Sequence, residues 1–330
     1  MGIFPMLEHG GNIAHAAQHY GIPVQDWLDL STGINPHGWP VPALSPEVWR
    51  RLPEEHDGLL DAARAYYGAS HVLAVAGSQA AIQVLPTLRA TCRVGMLHPA
   101  YGEHAHAWAK QHHVVALKAT DIEAALDDLD VLLLCNPNNP TGERFTPDTL
   151  LAWHARLAAR GGWLVVDEAF IDAEPVLSIA QLTGTEGLVV LRSLGKFFGL
   201  AGARVGFVAA WPALLAQMQE ALGPWTLNGP ARAIARLALQ DSAWQHHTRE
   251  RLQQDNARLA ALLTQHDLAP TGGTALFQWL RTERAAELHE SLARQGILTR
   301  LFDAPASLRF GLPGTQDEWD RLEIALGKLA

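Results

Sequence analysis

The sequence predicts an α/β protein with a mainly parallel sheet between helix layers, followed by a smaller α+β unit at the C-terminal end. Apolar strand-like runs alternate with helical segments between about residues 58 and 209, which favours a parallel sheet covered on both faces. Runs such as residues 131–134 are apolar throughout, as is typical of strands buried on both faces. After about residue 212 the chain is mostly helical before a few more strand-like runs.

The elements follow from periodicity and from turn residues. Residues 1–40 are rich in Gly, Pro and Asn, which predicts an ordered arm of turns rather than regular elements. Predicted helices cover about 58–67, 78–89, 243–264, 282–294 and 315–329. Predicted strands cover 71–76, 93–97, 113–117, 130–135, 162–166, 187–192, 204–209, 274–280, 297–301 and 307–310. We therefore expect an arm (1–40), a large domain (41–227) and a small C-terminal domain (228–330).

Composition narrows the class of protein. The 330 residues are 48% hydrophobic and 18% charged, which fits a globular enzyme with a large core. A net charge of −9 without a basic block argues against nucleic acid as a partner. There is no signal-peptide pattern and no apolar run near the ~18 residues that span a membrane, so no membrane partner is expected. Cys92 and Cys135 lie in apolar runs, as reduced cysteines of a cytoplasmic protein would.

Sixteen histidines raise the question of a metal site. His104 and His106 are two residues apart, and residues 112–113 and 246–247 are adjacent pairs. None of them stands in an HExxH or cysteine-paired frame. We expect most of them to be solvated helix residues, and we predict no metal site.

Residues 193–206 hold one lysine between small and apolar residues. Poor hydration of Lys196 favours its neutral amine, which can attack a carbonyl. Ser193 and Arg204 could hold a dianion nearby. A lysine for a Schiff base beside groups for a phosphate is what pyridoxal phosphate (PLP) requires of a protein. A glycine-rich loop with a solvated lysine is an equally good interpretation of this stretch alone.

Two further motifs stand next to predicted strands. Gly77-Ser78-Gln79 lies between a strand and a helix start, where free N–H groups hold a phosphate or simply cap the helix. Asp167 ends an apolar strand, where its burial requires a cation or a donor. A pyridinium N–H would serve, and so would a local arginine or the backbone.

A third motif is the heptad of residues 136–142, which follows a buried strand and contains Asn139. Its two Asn-Pro steps cannot continue a strand or begin a helix, so they fix a rigid turn that could aim an amide inward. A cis peptide bond before Pro140 is one option.

The motifs NPxNPTG, DEA and SxxKxxGLAGxRxG follow one another in this order. Through them the chain resembles the fold-type I, aspartate-aminotransferase-like PLP enzymes, for which this order of motifs is highly specific. The resemblance covers nearly the whole chain. The resemblance implies that fold, PLP as cofactor and a homodimer. It implies these roles: Lys196 as the Schiff-base lysine and proton carrier, Asp167 at the pyridine nitrogen, Asn139 at the ring O3′, Tyr101 stacked on the ring, and Gly77, Ser78, Gln79, Ser193 and Arg204 at the phosphate.

The resemblance also suggests substrate contacts. Arg309 resembles the arginine that binds the substrate α-carboxylate, a task that suits a planar guanidinium. Without the family, a surface strand residue would be the better interpretation. Arg300 resembles a substrate-contacting arginine. The weaker candidates are Asn12, His9, Gly33 and Asn35 in the arm and Arg144 after the Asn-Pro turn, and His9 and Arg144 could instead be solvated.

Within this family the chain resembles two branches that take phosphorylated amino-acid-like substrates: histidinol-phosphate aminotransferases and the threonine-phosphate decarboxylases of cobalamin biosynthesis. HGGN at 9–12, STGINPxG at 31–38 and segments at 224–228 and 239–244 favour the decarboxylases. So does Phe170, because the aminotransferases usually have a tyrosine there that hydrogen-bonds the cofactor O3′.

We therefore expect PLP-dependent decarboxylation of L-threonine O-3-phosphate to (R)-1-amino-2-propanol O-2-phosphate. An aminotransferase of the histidinol-phosphate type is the alternative. A non-catalytic PLP-binding regulator is a further alternative, but the short arm and the low basic content argue against it.

Overall fold

The structure is a computed structural model that describes residues 9–329. They group into two compact units. The larger unit comprises Gly38–Asn139 and Glu143–Arg249, and the smaller comprises Pro140–Gly142 and the described parts of Met1–His37 and Glu250–Ala330. The domain boundaries drawn from the sequence stay a prediction.

The described part of the chain contains strands β1 to β13. Their bounds are β1 Leu28–Asp29, β2 Val72–Val75, β3 Arg93–Leu97, β4 His113–Leu117, β5 Val131–Cys135, β6 Trp163–Asp167, β7 Leu188–Ser193, β8 Gly206–Ala209, β9 Gly272–Thr274, β10 Phe277–Arg281, β11 Ile297–Leu298, β12 Arg300–Asp303 and β13 Ala306–Gly311.

The α-helices are connected by loops and short 3₁₀ turns. Their bounds are α1 Ile13–Tyr20, α2 Glu47–Arg50, α3 Leu59–Tyr67, α4 Ser78–Val84, α5 Gly102–Trp108, α6 Ile122–Ala125, α7 Pro147–Ala158, α8 Pro212–Leu222, α9 Gly229–Gln240, α10 Ser242–Gln265, α11 Ala285–Ala293 and α12 Gln316–Leu326. Judged on its length and apolar character, no helix within residues 9–329 could cross a membrane.

The larger unit is built on a seven-stranded sheet of order β2-β8-β7-β6-β5-β3-β4. The pairs from β7 to β4 are all parallel, whereas β8 runs antiparallel to both of its neighbours. Every residue of β5 and β6 is buried, as their continuous apolar runs predict. The predicted α/β class with a mainly parallel sheet is therefore confirmed.

The smaller unit contains an antiparallel sheet of order β12-β13-β10-β9 and the parallel pair β1-β11. Two predicted strands are divided in the structure: 274–280 becomes β9 and β10, and 297–301 becomes β11 and β12. The first division is a tight reversal, because β9 and β10 pair antiparallel with Thr274 opposite Phe277. Periodicity does not show this break, because the apolar run of residues 275–277 continues through it.

The prediction that residues 1–40 lack regular elements is wrong for the described part of this segment, while residues 1–8 lie outside the description. Helix α1 forms because Ile13, Ala16, Ala17 and Tyr20 share one face, which packs on a cluster that contains Trp27. Gly21, with φ 69°, ends the helix in the left-handed conformation. The Gly and Asn residues on both sides concealed this short apolar stripe.

The predicted helix 78–89 is also shorter than expected. Helix α4 ends at Val84, and a 3₁₀ turn over Leu85–Leu88 follows it. Pro86 accounts for the change, because its ring removes a backbone donor and clashes with the preceding helical turn.

Candidate active site

The parallel strands bring the predicted site residues of the larger unit to one edge of the sheet. Asp167 is the last residue of β6 and lies opposite Cys135, the last residue of β5. Ser193 ends β7 and lies opposite Gly206 of β8. The carboxyl ends of parallel strands are where α/β proteins bind ligands. Residues that are far apart in sequence therefore meet at one edge.

Asp167 is only 4% exposed, and its two carboxylate oxygens have different partners. Oδ1 accepts the backbone N–H of Ala169 at 3.0 Å, and Oδ2 lies 2.8 Å from Nε2 of His104. His104 is itself 2% exposed, so the expectation of a solvated histidine is wrong at this position. The His104 ring is nearly perpendicular to the Tyr101 ring, with the two centroids 6.0 Å apart.

Cys135 lies at the centre of this group. Backbone N–H groups of Tyr101 and Asn139 reach its sulfur, and burial together with the Asp167 charge raises the pKa of the thiol well above its usual value. The neutral Cys135 thiol therefore lies next to three residues that are predicted to bind the cofactor, namely Tyr101, Asn139 and Asp167. Among the described residues, His104, Cys135 and Asp167 form a group of metal-ligand types, with donor atoms within 4.8 Å of one another. We assign the trio to the cofactor site, and a metal-free protein stays a prediction.

The predicted phosphate residues converge at the start of α4. A Cβ at Gly77, where φ is 71°, would come within 2.7 Å of Nη2 of Arg204, and one at Gly206 would come within 2.5 Å of the backbone N of Ser78. Both positions must therefore lack a side chain for the arginine and the helix start to approach. The arrangement leaves N–H groups at the first turn of α4 beside a guanidinium, which suits a phosphate.

The side chain of Gln79, on α4, contacts two residues at the start of α5. Its amide nitrogen donates to Glu103 at 2.5 Å, and the Tyr101 hydroxyl lies 3.5 Å from its amide oxygen. Burial, with the charges of Glu103 and Asp167, raises the pKa of Tyr101 to about 12, so its phenol stays neutral. The neutral ring is a suitable stacking surface, and that role stays a prediction.

The turn after β7 carries Lys196, whose Nζ lies 5.4 Å from the ring centroid of Phe170. Ser193 Oγ accepts the backbone N–H of Gly195 at 3.1 Å, which tightens the turn. The lysine is only half-buried, whereas the Leu194 and Phe197 that flank the turn are buried. Apolar side chains therefore lie beside Lys196, and its role as the Schiff-base lysine stays a prediction.

The Asn-Pro heptad is a closed loop. The Asn136 side chain bonds the backbone of Phe145 in both directions, at 3.1 and 2.9 Å, and Asn138 Nδ2 donates to Pro99 O at 2.9 Å. The cis peptide bonds of the described chain precede Pro99, Pro137 and Pro305, so the bond before Pro140 is trans. At Gly142, which has φ 77°, a Cβ would overlap the backbone of Gly273.

A buried ionic group supports this edge, and sequence reasoning missed it. Arg192, 3% exposed, pairs with Glu168 at 2.7 Å and also with Asp172. Burial opposes its charge, but the two carboxylates raise its pKa above the usual value. Glu168 further accepts from Ser178 Oγ at 2.6 Å. Because Glu168 follows Asp167 and Arg192 precedes Ser193, the pair holds the ends of β6 and β7 in register. The sequence does contain a signal for this ionic group, because Glu168 directly follows Asp167 and Arg192 directly precedes Ser193.

In the smaller unit, two arginines stand side by side on the antiparallel sheet. Arg300 of β12 is the direct partner of Arg309 of β13, so both side chains share one face. Arg309 is 5% exposed, its Nη2 donates to the Ser31 carbonyl, and its guanidinium lies 5.0 Å from the Phe277 ring centroid. Burial, with the Arg300 charge, lowers its pKa to about 9. Adjacent guanidiniums at a buried position favour an anionic ligand.

The weaker substrate candidates differ in environment. His9 and Asn12 are exposed, whereas Asn35 is 3% exposed and its side chain accepts the backbone N–H of His37 at 2.9 Å. Gly33 has φ 61°, a conformation that favours glycine. Arg144 is exposed and forms a two-pronged pair with Glu174, with both nitrogen–oxygen distances 2.7 Å. Substrate binding by these residues stays a prediction.

Taken together, the larger unit presents a lysine in apolar surroundings, a buried carboxylate aligned by a histidine, and a glycine-lined cradle beside an arginine. The carboxylate suits a pyridine nitrogen, the lysine suits an aldehyde, and the cradle beside the arginine suits a phosphate. The residues present therefore fit PLP.

Comparison with known proteins agrees with this geometry. Residues 26–326 match the family model for aminotransferase class I and II, and the chain belongs to this family, a class of PLP-dependent enzymes with an α/β fold. PLP is accordingly its cofactor.

Two curated relatives are named threonine-phosphate decarboxylase. The protein from Pseudomonas aeruginosa is 56% identical over 97% of both chains, and that from Sinorhizobium sp is 42% identical over 98% of both. A solved histidinol-phosphate aminotransferase from Sinorhizobium meliloti, in complex with pyridoxal-5′-phosphate, superposes with a TM-score of 0.81. It covers 99% of this chain and 96% of its own at 19% identity, so it supports the fold alone.

Proposed function

We propose that this protein is a PLP-dependent carboxy-lyase that converts L-threonine O-3-phosphate to (R)-1-amino-2-propanol O-2-phosphate and CO₂, a step of cobalamin biosynthesis. The observation that carries the proposal is the phenyl ring of Phe170 beside Lys196. A tyrosine there would offer a hydroxyl to the cofactor O3′, and a phenyl ring offers none. The identity with the two relatives named threonine-phosphate decarboxylase supports the same reaction.

Bound PLP supplies an electron sink for the bond that breaks at the substrate Cα. The chain's own residues prepare for this. Asp167, held by His104, offers a fixed negative charge for the pyridine N–H, while Asn139 offers an amide to O3′. Lys196 holds the cofactor and then carries a proton to the substrate Cα.

The choice of reaction depends on which bond of Cα is held perpendicular to the cofactor ring, and this depends on where the substrate's anions are held. The pair of Arg309 and Arg300 supports a ligand that carries both a carboxylate and a phosphate, because two guanidiniums share one face of the sheet. We assign Arg309 to the carboxylate and Arg300 to the phosphate, with His9, Asn12, Gly33, Asn35 and Arg144 as further candidates.

We further propose a homodimer in the cytoplasm. Large apolar side chains of the larger unit are exposed: Val41 by 54%, Trp49 by 70%, Leu52 by 67% and Trp225 by 60%. Exposed apolar groups in such number favour a second copy as partner. The free cysteines Cys92 and Cys135 suit a reducing compartment.

The test incubates the PLP-loaded protein with threonine phosphate and no keto acid. We expect one CO₂ released for each amine formed. In a second arm the protein receives glutamate and imidazole-acetol phosphate. Amino transfer there, without CO₂ from threonine phosphate, would mean that the aminotransferase alternative is correct.

Lys196→Ala is the matched negative control for this assay. It should abolish CO₂ release and the visible absorption of the lysine-bound cofactor. Lys118→Ala, at an exposed lysine of the same unit, should leave both unchanged.

A further inference from the structure

Phe198, two positions after Lys196, belongs to a closed circuit of four contacts with Trp39, Asp241 and Trp244. The backbone N–H of Trp39 donates to Phe198 O at 2.8 Å, and the Trp39 indole N–H donates to Asp241 Oδ2 at 3.0 Å. The other oxygen of Asp241 accepts the backbone N–H of Trp244 at 3.1 Å. The Trp244 ring closes the circuit by stacking on the Phe198 ring, with centroids 5.5 Å apart and planes 18° apart.

The circuit is well packed. Phe198 is fully buried and Trp39 is 7% exposed. A Cβ at Gly38 would come within 3.3 Å of the Gly199 carbonyl, so the segment before Trp39 lies directly on the lysine turn. Within that turn, Gly199 N–H donates to the Lys196 carbonyl at 3.2 Å. A shift of Phe198 or Gly199 would therefore move the backbone of Lys196.

These contacts join segments that the cofactor site does not use. Trp39 follows the STGINPxG segment, and Asp241 and Trp244 belong to segment 239–244, which the sequence analysis also singled out. None of these side chains has a role in binding PLP in the proposed function. Trp39 and Trp244 contact the lysine turn at Phe198, and Asp241 joins these two tryptophans.

We propose that Trp39 is a positioning residue for Lys196, and that its indole hydrogen bond to Asp241 fixes the turn on which the lysine stands. Asp241 is suited to this task because one carboxylate both begins the 24-residue helix α10 and holds Trp39. Trp39 thus connects the lysine turn to the most extended helix of the described chain. The inference rests on the proposed role of Lys196, but not on the identity of the substrate.

The test is Trp39→Phe, which keeps an aromatic ring and removes the indole N–H. Trp27→Phe is the matched control, because Trp27 is 8% exposed and its indole donates to the Ile22 carbonyl at 3.2 Å in the other unit. Backbone hydrogen exchange of residues 194–200 is followed in protein with and without PLP. We also measure the pH midpoint of the visible absorption of bound PLP, which reports on Lys196.

For Trp39→Phe we expect exchange in 194–200 to accelerate at least about fivefold, the loss expected for one hydrogen bond. The spectral midpoint should shift, and kcat should fall with KM little changed. Trp27→Phe should do none of this. Unchanged exchange and an unchanged midpoint in Trp39→Phe, or equal changes in both variants, would overturn the proposal.

A second variant covers the case in which Trp39→Phe does not fold. Asp241→Asn keeps one oxygen to begin α10, since asparagine is a favoured helix cap, but it then faces the indole N–H with an amide nitrogen. It should reproduce the faster exchange and the spectral shift. Because exchange is measured without substrate, a failure of the decarboxylase assay would leave this result intact.

Discussion

Lys196 Nζ stands 5.4 Å from the ring centroid of Phe170, within the range of a cation–π contact. The ring offers the lysine an apolar neighbour that neither donates nor accepts a conventional hydrogen bond. Phe170 follows Asp167 by three residues, so one short segment supplies both the buried carboxylate and this neighbour.

The first prediction concerns Phe170→Tyr. The added hydroxyl can bond the cofactor O3′ and compete with Asn139, so we expect decarboxylation to slow about fivefold, the effect of one hydrogen bond of ~1 kcal/mol. The fraction of turnovers that end in amino transfer should rise. Product analysis by mass spectrometry measures both. Phe170→Leu, which adds no hydroxyl, is the control, and an identical product ratio in the two variants would contradict the argument.

The second prediction concerns His104→Phe. Without its imidazole partner at 2.8 Å, the buried Asp167 carboxylate loses alignment, so PLP affinity should fall about tenfold. Titration of the cofactor-free protein with PLP, followed by fluorescence, gives the affinity. His154→Phe is a matched control: His154 is 7% exposed and bonds the Glu186 carbonyl at 3.0 Å. Equal losses in both variants would mean that the effect is general destabilisation.

The third prediction concerns Arg309→Lys. The change keeps a cation but removes the fork that binds a carboxylate through two hydrogen bonds, so kcat/KM should fall roughly thirtyfold, equivalent to about 2 kcal/mol. PLP affinity should not change. Steady-state kinetics with threonine phosphate provide the measurement. Arg281→Lys, exposed on β10 of the same sheet, should behave like the unmodified protein. If it does not, the arginine effect is not specific to the carboxylate.

The fourth prediction concerns pH. All four tyrosines have raised pKa values, chiefly through burial: about 12 for Tyr20 and Tyr101, and well above 10 for Tyr66 and Tyr67. A raised pKa means that the neutral phenol is favoured in the folded state. The contribution of the neutral phenols to the free energy of unfolding is fully present below about pH 10, where the tyrosines of the unfolded chain are protonated too. It is lost as the pH rises toward 12.

We therefore expect the near-ultraviolet phenolate signal to appear above pH 10 together with loss of folded structure by circular dichroism. A phenolate signal near pH 10 in the folded protein would show that at least one phenol has an ordinary pKa.

The sequence by itself determined the fold class, the family and the cofactor. Parallel strands are continuous apolar runs. The residues predicted to hold PLP stand in short local motifs around Lys196, Asp167 and Asn139, and the resemblance of these motifs to a known family indicates the family and the cofactor. A local apolar stripe can still be hidden by flanking turn residues, as the unexpected helix α1 shows.

The tertiary structure alone decided which partners support those groups. His104 lies 63 residues from Asp167 in sequence, and Trp39 lies 202 residues from Asp241. Each pair depends on how sheet and helices bring separate segments together, and neither residue stands in a motif that marks its partner. Long-range contacts of this kind arise from packing, and periodicity and spacing report only on neighbours along the chain.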